Sequence, residues 1–200
     1  MQNYKSISIG FALVLLTGGL VACSSDNPET PIESAATDAS AAPAADAPSE
    51  KTNPNLTADQ VGVVVKVLGA PTYDEATDQL SVKVSVQNTG KVVLPVTGKN
   101  PVLLGIIQKK ASGNGLPDTR GIDSRASFAA DIAPGATAEV TAIVPAEMAV
   151  GSKLELEPLQ ENVVWFGFDL DQPTAVIGPF ARCTDGKALC DADGKAIAAK

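Results

Sequence analysis

No histidine occurs among the 200 residues, so the side chains able to do chemistry reduce to 23 carboxylates, 15 cationic groups and three cysteines. That removes Ser-His-Asp and Cys-His nucleophile systems, histidine-based zinc sites and the commonest general base at neutral pH. Carboxylates alone can hydrolyse glycosides or hold calcium. Asp191-Ala192-Asp193-Gly194 begins like a calcium loop but lacks the third acidic position and the bidentate Glu at the twelfth place. Asp169 with Asp171, and Asp74 with Glu75 and Asp78, read as solvated turn carboxylates, with calcium as the alternative. No Ser-x-x-Lys of the penicillin-binding type is present. Arg120 and Arg125, interleaved with Asp118 and Asp123, offer guanidinium forks suited to a sugar acid or a phosphate; the plainer reading is a solvated inter-strand loop with local ion pairs. The expectation is therefore no catalytic residue, no metal and no cofactor, with Arg120 and Arg125 as candidate ligand contacts.

The formal net charge is −8, and it becomes −9 if the first 22 residues, whose only charge is Lys5, are removed. Such a balance repels phosphate backbones, and nucleic acid is not an expected partner.

Cys23 stands at the end of an export-type segment: Lys5, an apolar run from Ile7 to Leu16, then small residues. As a helix, Ile7 to Ala22 would reach roughly 24 Å at about 1.5 Å per residue, short of the ~30 Å hydrocarbon core. The segment signals rather than spans. Leu20-Val21-Ala22-Cys23 resembles the lipobox of bacterial lipoproteins, with a large aliphatic residue three places before the cysteine and a small one directly before it. The resemblance implies removal of residues 1–22, a diacylglycerol on the Cys23 thiol and an acylated new amine. Two or three chains at about 0.8 kcal/mol per buried CH₂ would make the anchor effectively permanent. The alternative is a free thiol within an ordinary cleaved signal. Asp directly after the cysteine would resemble an inner-membrane retention signal; Ser24 stands there, so the expected address is the bacterial cell envelope at the outer membrane.

Residues 24–55 are Ala-, Pro- and Ser-rich, with six acidic residues, one Lys and a single large aliphatic, Ile32. So little apolar surface cannot repay the entropy of folding. The lipidated Cys and its tether are assigned to residues 23–59, with an end-to-end distance of roughly 30 Å for a flexible coil, stiffened by prolines. The tether gives clearance from the lipid surface or passage along the cell-wall mesh.

From residue 60 to 181 the pattern turns to period two. Leu80, Val82, Val84 and Val86 alternate with Ser81, Lys83, Ser85 and Gln87; Val61, Val63, Val65 and Val67 repeat the pattern, and Val140, Ala142 and Val144 follow it more weakly. Turn chemistry separates these runs, as in Asn88-Thr89-Gly90, Gly98-Lys99-Asn100-Pro101 and Pro134-Gly135. Seven or eight short strands without an amphipathic helix between Gln60 and Phe180 predict an antiparallel sandwich of two sheets. The apolar run Val163 to Phe168 reads as a strand covered on both faces. Trp165, the sole tryptophan, is then expected in the core, with Phe166 and Phe168 pointing to the side opposite it. A stacking platform for sugar is the alternative, and it requires that face to be open to solvent.

Asn100-Pro101-Val102-Leu103-Leu104-Gly105, then Arg125, Ile132-Ala133-Pro134-Gly135 and Gln160-Glu161-Asn162-Val163-Val164-Trp165-Phe166 together resemble an immunoglobulin-like β-sandwich module. That module is found beside bacterial surface-polysaccharide glycosyltransferases and methyltransferases. The resemblance spans roughly Leu80 to Phe168 and departs after Gly105, where Ile106 and Ile107 replace an expected aromatic. It brings no catalytic residue and implies a binding or spacing role.

Cys183 and Cys190 would meet an oxidising compartment in an exported chain, and a disulfide is expected in a C-terminal tail of residues 182–200. Six intervening residues do not suit a redox Cys-x-x-Cys, and zinc would lack further ligands. Asp185-Gly186 and Asp193-Gly194 suit tight turns, so a small hairpin should follow. The functional expectation is a lipid-anchored envelope protein presenting a binding or structural module to a protein or glycan. A carboxylate-dependent cell-wall hydrolase or enzyme accessory is the competing class, and strand addition at a sheet edge a third.

Overall fold

The computed structural model describes residues 51–111 and 118–200. The export signal, Cys23 and the tether up to residue 50 lie outside the described residues. In chain order the elements are β1 (Val63–Val67), β2 (Thr72–Asp74), β3 (Gln79–Asn88), β4 (Val102–Lys110), β5 (Thr119–Ser127), β6 (Thr137–Pro145), helix α1 (Ala146–Ala149), β7 (Ser152–Gln160), β8 (Val164–Trp165), helix α2 (Phe166–Leu170), β9 (Ala175–Ile177), β10 (Ala181–Arg182), β11 (Leu189–Cys190) and β12 (Ala198–Ala199).

The longer strands form a two-sheet antiparallel sandwich. In one sheet β3 is flanked by β6 on one side and by β1 and β2 on the other; in the second, β4 lies between β5 and β7, with β8 and β9 beside β7. The order β1, β3 and β6 facing β5, β4, β7 and β9 is that of an immunoglobulin-like sandwich, with β2 extending the β1 side. The period-two pattern places its residues as expected: Leu80, Val82, Val84 and Val86 of β3 are fully buried. They meet Val102, Leu104 and Ile106 of β4 and Leu154 and Leu156 of β7 across one core. Each such side chain contributes roughly 1.5–3 kcal/mol on burial, so this layer holds the sheets together.

Two expectations about these elements are corrected. The run from Val163 to Phe168 is not one strand: β8 stops at Trp165 and α2 begins at Phe166. The Asp169 carboxylate accepts the Trp165 N–H at 2.7 Å and Asp171 ends the turn at φ 54°, so local hydrogen bonding overrides the apolar run. The stretch around Arg120 and Arg125 is strand β5, not a loop.

The packed body also exceeds residues 60–181 at both ends. Leu56 belongs to the core and Asn53 is buried. Gln160 holds this entry segment, its Oε1 accepting the Leu56 N–H at 2.8 Å and its Nε2 donating to the Pro54 carbonyl at 2.8 Å. At the other end Leu189 is fully buried and β12 runs parallel to β2. Arg182 donates to Asp78 at 2.7 Å and to the Tyr73 hydroxyl at 2.8 Å. Because Tyr73 in turn donates to Asp78, its phenol is held above its ordinary value.

Cys183 and Cys190 form the expected disulfide across the β10–β11 hairpin. Replacing both with serine should lower the unfolding free energy by about 2.5 kcal/mol, from the loop entropy of a roughly eight-residue closure. Denaturant unfolding checks the magnitude, and hydrogen exchange should find the tail amides opening first.

Candidate functional site

Arg120 and Arg125 are five residues apart, and in an uninterrupted strand an odd spacing sends two side chains to opposite faces. Here it does not. Register runs Gly105 to Arg125 and Ile107 to Asp123, then shifts to Lys109 with Arg120, so Gly121 and Ile122 together face Gln108 alone. This bulge adds one residue to β5 and returns Arg120 to the outer face shared with Arg125.

Trp165, paired with Leu159 of β7, lies on that same outer face, and its ring reaches across to Gly105 of β4. A Cβ built on Gly105 would overlap the indole ring and crowd Leu159. The expected core position of Trp165 is thus corrected: the ring is half-buried, and among the described residues it is Phe166 that enters the core. The guanidinium carbon of Arg120 stands 3.9 Å from the Trp165 ring centroid and that of Arg125 4.4 Å. Cation–π contacts of this kind contribute about 0.5–1 kcal/mol when exposed and more when desolvated. All three candidate ligand contacts named from the sequence therefore meet at one place.

Two further residues complete the array. Phe168, lifted outward by the turn of α2, is 74 % exposed, with Arg120 5.4 Å from its ring centroid. Its direction differs from that of Phe166, where a strand would have aligned them. Glu157 of β7 is 1 % exposed although it lies on an outer face. Its Oε2 accepts the Gly167 and Phe168 N–H groups, and its Oε1 is 3.8 Å from Arg120 Nη1. Burial pushes the Glu157 carboxyl above its ordinary range, while the two backbone N–H groups and Arg120 pull the other way. Arg120 Nη2 is buried without a hydrogen-bond partner.

Arg125 is engaged along one edge, donating from Nε to Glu161 at 3.0 Å and from Nη1 to the Ser124 carbonyl at 3.2 Å, with Asp123 3.0 Å from Nη1 in an ion pair. With Lys109–Glu155 and Lys153–Asp118, the face carries opposite charges side by side. Beside Trp165 a hollow of about 260 Å³ is lined by Arg125, Gln160, Glu161, Asn162 and Val164. Such a surface offers donors, acceptors and an aromatic rim without a large excess charge, which suits recognition of a polar but apolar-edged partner.

Asp169 and Asp171 border this face in α2, Asp169 accepting the Trp165 N–H, while the other acidic clusters are held within their own turns or by Arg182. Asp74 accepts the Ala76 and Thr77 N–H groups, Asp78 pairs with Arg182, and Asp185 and Asp191 accept backbone N–H groups within their own turns. No group of three potential metal ligands occurs among the described residues. No protein-family model matches this chain, and a comparison with curated proteins finds no match.

Two measurements check this geometry. Because the folded-state value of Glu157 is raised, its burial is least costly below the ordinary value of 4.5 and the penalty grows as pH rises through the raised value. The Tm of Glu157→Gln minus that of the parent should therefore be more positive at pH 7 than at pH 4.5. Gly105→Ala should displace the indole, shifting the emission of the sole tryptophan and lowering stability by about 1–3 kcal/mol, the usual range for overpacking.

Proposed function

We propose that this chain is a lipid-anchored cell-envelope protein whose β-sandwich is a binding module, with the outer face of the β5-β4-β7 sheet as its docking surface. The observation that carries the reading is Phe168, 74 % exposed beside Arg120, Trp165 and Arg125 on a rigid sheet. Aromatic and arginine side chains dominate binding energy at interfaces, and here two of each stand together on one face. The partner is a second envelope protein or a glycan. The anchor rests on Leu20-Val21-Ala22-Cys23, with outer-membrane sorting supported by Ser24. The described chain enters the sandwich at Thr52, which bridges to Lys99.

A hydrolase of cell-wall polymers, the competing class, would require two carboxylates about 5–10 Å apart across a cleft. The hollow beside Trp165 is lined by one carboxylate, Glu161.

Co-purification from membranes with the acylated full chain tests the reading. Phe168→Ala should reduce the captured partner about tenfold or more, the scale of an interface hot spot, while leaving the melting temperature unchanged. Cys23→Ala should move the protein to the soluble fraction. Undiminished capture by Phe168→Ala removes the docking surface from the proposal, and a membrane-bound Cys23→Ala protein removes the anchor.

A further inference from the structure

The sandwich has several sheet edges, and three of the places where an added strand would dock are closed. Beside β2 stands β12. On β1, the Gln172 side-chain oxygen accepts the Val63 N–H at 3.3 Å. β5 is interrupted by its bulge and carries the charges of Arg120, Asp123 and Arg125. Bulges and charged side chains are the usual devices that blunt an edge.

β6 has no bulge and a single charge, Glu139. It pairs with β3 in unbroken register from Thr137–Gln87 to Pro145–Gln79 and has no strand on its other side among the described residues. The direction of its free groups follows from the flanking hydrogen bonds. Asn88 donates to the Ala136 carbonyl and Ala146 to the Asp78 carbonyl, while the Lys83 carbonyl accepts from Leu68 on the far side of β3. Even-numbered residues of β6 therefore complete the ladder to β3. The N–H and C=O groups of Thr137, Glu139, Thr141 and Ile143 are left directed at the open edge.

We infer that β6 is a homodimer interface, in which a second copy of this chain adds its own β6 antiparallel about a two-fold axis at Thr141. Three features of the strand favour a copy of itself. Glu139, its only charge, faces Ile143 of the second copy and never another Glu139. On the core side Val140 faces Ala142 of the second copy and Ala138 faces Val144, so each large residue meets a small one; Ala138 and Val140 are the residues of this row left partly exposed. At the axis Thr141 meets Thr141, a favourable cross-strand pair. The result is one continuous sheet across two copies, closed by symmetry, so no further edge is left to propagate. The inference is independent of the docking face proposed above, which lies on the other sheet.

Cysteine cross-linking in membranes carrying the full chain tests it. Residues opposite each other in a hydrogen-bonded antiparallel pair have Cα atoms about 5.5 Å apart, within the roughly 4.4–6.8 Å that a disulfide spans. Under mild oxidation Thr141→Cys should run at twice the chain mass on a non-reducing gel, and reductant should reverse it. Lys83→Cys, one strand inward on the same face, should not cross-link. In detergent, light scattering should give a dimer for the unaltered chain and a twofold lower mass for Thr141→Lys, which sets two ammonium groups face to face. The inference is overturned if the unaltered chain scatters as a monomer, or if Lys83→Cys cross-links as readily as Thr141→Cys. It is equally overturned if Thr141→Cys joins a different protein instead of itself, which would make β6 an edge for a foreign strand.

Discussion

A ring as large as an indole can lie across a β-sheet only where the strand beneath it has no side chain. Gly105 supplies that vacancy on β4, and Trp165 fills it. Much else on the outer face follows from this one steric fit. With the indole seated there, Arg120 and Arg125 find an aromatic surface within 3.9 and 4.4 Å, Ile107 beneath this layer is fully buried, and α2 is brought close enough for its backbone to reach Glu157. A methyl group at residue 105 would disturb all of these together.

The charges on this face differ in weight. Exposed pairs such as Lys153–Asp118 contribute between nothing and about 1 kcal/mol each, because water screens them and long side chains lose entropy in pairing. Glu157 is another case. It is removed from water, and its two hydrogen bonds to the α2 backbone offset part of the desolvation that burial imposes. The same carboxylate therefore sets the position of Phe168 and carries an electrostatic cost in doing so. Side chains held by ion pairs and ring contacts are preordered, which would limit the entropy lost when a partner binds.

Rigidity at the two chain ends serves the same purpose. Asn53 and Gln160 fasten the entry segment through side-chain amides that bond backbone carbonyls and an N–H otherwise left unpaired, and Asn88 does likewise for the β3–β4 turn by bonding the Val92 and Ile132 carbonyls. At the far end Arg182, Tyr73 and Asp78 join the tail to β2, while the disulfide closes the hairpin behind them. Motion is thereby kept out of the module that would have to present a fixed surface.

Side-chain alternation is a local property, so the all-strand class, the inward residues of β1, β3 and β6, and the turns at Asn88, Gly98 and Gly135 were readable from composition and spacing alone. The pairing of Cys183 with Cys190 was readable too, since only two cysteines follow Cys23. The candidates Arg120, Arg125 and Trp165 could be picked out from the sequence, but nothing in their spacing joined them. An odd interval argued for opposite faces, and only the bulge across Gln108, which appears when β5 pairs with β4, brought them together. Glu157 escaped notice because Leu154-Glu155-Leu156-Glu157 reads as a half-wet strand, and its burial depends on a helix turn that the apolar run beside Trp165 concealed. Period and composition record which side of a strand faces inward; which strand becomes its neighbour, and what covers the outer side, are settled only by contacts between residues distant in sequence.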